Sequence, residues 1–114
     1  MDILLKRLFK VNEDIVWGNL DETVVFSRFS LRIVRDSTKI YFEITNNGKA
    51  SEKLVADNFF LSDDNLKKSP LNLDALLIPV KETVFFVLHP SVSLSEMGFL
   101  NFSFEEKRLM IALY

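Results

Sequence analysis

Polar and apolar residues alternate between Lys39 and Thr45. Ile40, Phe42 and Ile44 fall on one face and Lys39, Glu43 and Thr45 on the other, with amphipathic Tyr41 among them. Successive side chains of a strand point to opposite faces, so this period of two predicts a half-buried strand. β-Branched and aromatic residues fit such a pleated surface. A second alternation runs from Thr23 to Arg35, where Val25, Phe29, Leu31 and Ile33 share a face with Ser27, and Arg28, Ser30 and Arg32 take the other. Asp36-Ser37-Thr38 is a turn sequence between the two, so an antiparallel hairpin is expected. After it, Asn46-Asn47-Gly48 admits positive φ at low cost, as a tight reversal needs.

The flanks repeat this grammar. Ile3 to Lys10 carries either a helical stripe (Ile3, Leu4, Leu8, Val11) or a strand pattern (Leu5, Phe9, Val11), and is taken as an edge strand. Asn12-Glu13-Asp14 reads as a turn, and Ile15-Val16-Trp17 as a short extended segment whose Trp is expected to anchor a core. Phe59-Phe60-Leu61 reads as a strand running into the Asp63-Asp64 turn, with a short segment around Leu54-Val55 before it. Leu71 to Ile78 is open between a helical turn and a short strand. Thr83 to Leu88 is apolar on both faces: it is either covered on both sides or presents an apolar outer face to a partner. Phe99 to Phe104 alternates again, and Arg108 to Tyr114 is apolar on both faces. Seven or eight strands at this spacing predict an all-β, antiparallel sandwich. At 114 residues one domain spanning 1–114 is expected.

The succession Ile40-Tyr41-Phe42-Glu43-Ile44-Thr45-Asn46-Asn47-Gly48, a connection, then Asn58-Phe59-Phe60-Leu61-Ser62-Asp63-Asp64 resembles the telokin-like, immunoglobulin-like β-sandwich domains of bacterial proteins of unknown function. Pro79-Val80-Lys81-Glu82-Thr83 before a further strand adds to the likeness, which covers Val24 to Leu88. The chain departs from that pattern in having no glycine in its Asp turn. The resemblance implies an immunoglobulin-like sandwich with a binding or structural role rather than catalysis.

Composition narrows the function classes. A net charge of −2 and a pI near 5.4 provide no basic footprint for nucleic acid. With no cysteine and one histidine, thiolate metal sites, cysteine nucleophiles and a multi-histidine zinc site are not expected. His89 reads as a loop residue. Asp57, Asp63, Asp64 and Asn65 lack the spacing of a calcium loop and read as a solvated turn. Asp21-Glu22 and Glu105-Glu106 read as charges flanking strands, since neighbouring acids on a strand diverge and make no acid–base pair. No cofactor is expected. No apolar run approaches the ~18–20 residues of a membrane span, and the expected location is the cytoplasm unless a leader has been removed.

Eleven phenylalanines remain to be explained. The reading adopted is a non-enzymatic module that binds a protein partner or itself through its two-sided apolar strands, with Phe85, Val87 and Ile111 as candidate contact residues. Alternatives are a small acidic immunity protein or intracellular inhibitor, and a small-molecule carrier or enzyme whose phenylalanines line an internal cavity.

Overall fold

A computed structural model describes residues 14–63, 68–70, 74–90, 94 and 98–114. The edge strand expected over Ile3–Lys10 lies outside them. The described residues contain eleven strands, more than the seven or eight expected: β1 (Asp14–Gly18), β2 (Val24–Phe26), β3 (Phe29–Arg35), β4 (Ile40–Asn46), β5 (Glu52–Leu54), β6 (Phe59–Ser62), β7 (Lys68–Pro70), β8 (Leu76–Ile78), β9 (Thr83–Leu88), β10 (Phe99–Phe104) and β11 (Lys107–Ala112). They form a five-stranded sheet, β1-β11-β10-β6-β7, a four-stranded sheet, β2-β3-β4-β9, and a β5-β8 ribbon. The architecture is an all-β sandwich.

The β3–β4 hairpin forms as its alternation predicts, with Leu31 opposite Ile44 and Ile33 opposite Phe42. Asp36 sets its turn. One carboxylate oxygen accepts from the amides of Thr38 at 2.8 Å and Lys39 at 2.7 Å, and the other accepts from the Tyr41 hydroxyl at 2.9 Å. These bonds favour the charged form, the Thr38 amide most, and hold the carboxyl at about 2.

The long strand expected over Thr23–Arg35 is broken. Ser27-Arg28 forms a two-residue turn between β2 and β3, with Phe26 paired to Phe29 and φ of 55° at Ser27. The turn resets the alternation, so Val25 points out and both Phe26 and Phe29 point in. A continuous strand would send residues three apart to opposite faces.

Phenylalanine rings fill the space between the sheets. Within each sheet they stack: Phe42 on Phe86 at 4.6 Å, and Phe59 on Phe102 at 4.7 Å. Between sheets they meet edge to face, Phe26 with Phe102 at 5.3 Å and Phe42 with Phe59 at 5.4 Å. Each such pair contributes ~0.5–1.5 kcal/mol beyond the area it buries. The last strand is apolar on both faces because both are covered. Leu109 and Ile111 enter this core, while Met110 packs on the other side with Ile15, Phe60 and Phe99.

Asn46 closes one end of the sandwich. Fully buried, its amide donates to the carbonyls of Ala50 at 2.8 Å and Ile78 at 3.0 Å, and its oxygen accepts from the Gly48 amide at 2.9 Å. The Asn46-Asn47-Gly48 segment therefore turns without the positive φ expected of it. Gly48 is suited to its place by close approach instead: a Cβ there would lie 3.1 Å from Asn46 Oδ1 and 3.2 Å from Arg28 Cδ.

Candidate functional site

Among the described strands β9 lies at one edge of the four-stranded sheet and β2 at the other, and the geometry of β9 is set where it begins. Pro79 to Glu82 forms a turn, with the Glu82 amide donating to the Pro79 carbonyl at 3.2 Å and Lys81 at φ 64°. Lys81 and Glu82 then both face Asn46. The Lys81 amide donates to the Asn46 carbonyl at 2.8 Å, and the Asn46 amide donates to the Glu82 carbonyl at 3.1 Å. Two residues opposite one, with the first left-handed, make a β-bulge.

Beyond the bulge the ladder is regular, from Thr83 opposite Thr45 to Leu88 opposite Ile40. Backbone groups alternate in direction along an antiparallel strand. Since the Glu82 carbonyl points at β4, so do the backbone groups of Val84, Phe86 and Leu88. Those of Thr83, Phe85 and Val87 point away, and no described strand pairs with them.

The same three residues place their side chains on the outer face. Phe85 is 71% exposed and Val87 41% exposed. Tyr41, opposite Val87, is 38% exposed. Further in, the face becomes polar: Thr45 and Thr83 hydroxyls lie 2.7 Å apart, Glu43 sits opposite both Phe85 and Arg32, and Arg32 pairs with Asp21. The apolar area is thus confined to the margin of the sheet.

The expected contact residues separate accordingly. Phe85 and Val87 are together and accessible. Ile111 is not: at 1% exposure it belongs to the core, because it takes the inward face of β11 with Leu109. Trp17, expected in the core, is 48% exposed and meets Phe99 edge-on at 5.8 Å. Tyr41 was missed as a contact residue; its place in an otherwise regular alternation marks it as an aromatic on the outer face.

Several described charged residues tie segments of the chain together. Arg28 donates to Glu52 at 2.6 Å, pairs with Glu105 and lies over the Phe104 ring at 5.3 Å. The Glu52 hydrogen bond, helped by the charge of Glu105, raises the pKa of its guanidinium. Glu105-Glu106 forms the two-residue turn of the β10–β11 hairpin, with φ of 48° and 63°. His89 is exposed just past β9, and Asp57 stands in a short 3₁₀ turn (Ala56–Asn58) apart from Asp63 at the end of β6.

No protein-family model matches the chain, and no curated protein matches it either. A solved structure does. An uncharacterized β-sandwich protein from Clostridium difficile 630 superposes with a TM-score of 0.50 at 14% identity, over 90% of this chain and 97% of that one. The two are similar in fold, and the likeness goes no further than the sandwich.

Proposed function

We propose that the chain is a non-enzymatic protein-binding module, and that it binds through the β9 edge and the adjoining outer face at Tyr41, Phe85 and Val87. The observation that carries this reading is the exposure of Phe85 on a strand whose outer backbone groups have no described strand beside them. An apolar edge of this kind is a template for an added strand, with main-chain bonds supplying affinity and alternate side chains supplying specificity. The phenylalanines expected to line a carrier's cavity stack on one another instead, which favours a surface function over an internal site.

The immunoglobulin-like part of the reading rests on strand order. β11-β10-β6-β7 runs as strands G-F-C-C′ do in variable-type immunoglobulin domains. Three strands of the second sheet precede β6, which is a departure from that pattern.

The test compares immobilised wild-type chain with Phe85→Glu, both checked for equal melting temperature. A partner chain, whether foreign or a second copy, is expected to be retained by wild type and lost by the variant. Equal retention by both would remove this surface from consideration.

A further inference from the structure

Resting on that reading, we infer that the strand added to β9 is β9 of a second copy, antiparallel about a two-fold axis through Phe85. Three observations lead there. The first is that, among the described residues, β9 carries no edge protection. Natural sheets blunt exposed edges with charge, proline or brevity. At the opposite margin of the same sheet, β2 has three residues, and β7, at an edge of the five-stranded sheet, contains Lys68 and Pro70. β9 has six residues, Thr-Val-Phe-Phe-Val-Leu, with no charge and no proline, and its bulge lies ahead of it.

The second is register. Directly opposed residues of an antiparallel pair point to the same face, and only Thr83, Phe85 and Val87 offer backbone groups outward. Placing Phe85 against its own copy opposes Thr83 to Val87 in both directions. That register uses all three outward residues of each strand, where moving it by two positions leaves Thr83 or Val87, according to direction, without a partner inside β9. It also sets the two exposed phenylalanines side by side on one continuous outer face.

The third is charge. The row through the axis reads Glu43, Phe85, Phe85 of the second copy, Glu43 of the second copy. The two carboxylates are then three strand spacings apart, ~14 Å, beyond the ~8 Å screening length at physiological salt. Six strand residues a side is well below the ~20–30 of a standard interface, so the dimer is weak and depends on concentration.

The chain has no cysteine, so introduced thiols report cleanly. Sedimentation equilibrium over a concentration series is expected to show monomer passing to dimer, with Phe85→Lys monomeric throughout. Phe85→Cys is expected to oxidise to a covalent dimer. Thr83→Cys and Val87→Cys are expected to cross-link when mixed and not alone, because like positions then lie ~14 Å apart along the strand. Val25→Cys, on the other edge, is expected to stay monomeric. A wild type monomeric at millimolar concentration, or Thr83→Cys cross-linking to itself as readily as to Val87→Cys, would overturn the inference. If wild type is monomeric yet Phe85→Glu abolishes retention of another protein, the second copy is rejected and the binding surface stands. If wild type is monomeric and retention is unchanged, both are rejected.

Discussion

Phe59 and Phe102 lie opposite each other on β6 and β10 and stack with their planes 6° from parallel, 4.7 Å apart. Phe59 also meets Phe42 and Phe86 across the core, and Phe102 meets Phe26 and Phe29. The pair therefore joins the two ends of the ring cluster. Phe102→Ala leaves a cavity that the surrounding rings cannot close, and is expected to cost about 3–5 kcal/mol. Urea unfolding is the measurement, and the midpoint should fall with the slope unchanged.

Asn46 predicts a loss of a different kind. Asn46→Ala leaves the Ala50 and Ile78 carbonyls without their amide donor and the Gly48 amide without its acceptor. Buried groups without partners cost ~1–3 kcal/mol each, and partial access of water near Ala50 brings the expected total to about 2–4 kcal/mol. Hydrogen exchange should quicken at Gly48 and Lys81 before it does in the β10–β11 hairpin. Uniform quickening would mean that the residue does not fasten this end locally.

The β10–β11 turn holds two non-glycine residues at positive φ, a geometry that favours Asn-Gly. Glu106→Gly removes the steric cost at the second position and leaves the Arg28–Glu105 pair in place. It is expected to raise stability by about 1 kcal/mol. Glu105→Gly relieves similar strain but breaks the pair, so its gain in thermal midpoint should be smaller. The reverse order would show that the pair contributes nothing.

Asp36 makes acid stability depend on one turn. Its carboxyl titrates at about 2 in the folded chain against 3.8 ordinarily, chiefly through the Thr38 and Lys39 amides. A depressed folded pKa contributes stability that is full above the unfolded value and is lost as pH falls from about 3.8 to about 2. Asp36→Asn should lower stability at pH 7 and flatten its fall across that interval. Urea midpoints at pH 2, 3, 4 and 7 check both, and parallel curves for variant and wild type would reject the assignment.

These features were unequally legible in the chain. The β3–β4 hairpin could be read because alternation and an Asp turn agree on it. The break at Ser27-Arg28 could not, since a lone serine beside an arginine is a weak turn signal within an apolar run; its trace is the spacing of Phe26 and Phe29, which no continuous strand can bury together. The candidate site was legible in composition but not in place. Thr83–Leu88 and Arg108–Tyr114 are both apolar on two faces, yet Phe85 is exposed and Ile111 is buried. What separates them is the face each takes: Phe85 lies on the outer face of its sheet, and Ile111 joins Leu109 in the core between the sheets. Which face is inward is decided by long-range packing, and a strand apolar on both faces does not encode it locally.

The parallel pairing of β1 with β11, Asp14 to Lys107 and Gly18 to Ile111, joins the first and last described strands. On the ribosome β1 is made before β11 and before every described strand between them. It waits for its partner, with Trp17 uncovered, until those strands have been synthesised. Closing so long a loop is slow, and apolar segments held open in that interval are prone to wrong partners. The margin that completes the five-stranded sheet is thus the pairing of described strands that becomes possible last while the chain is being made.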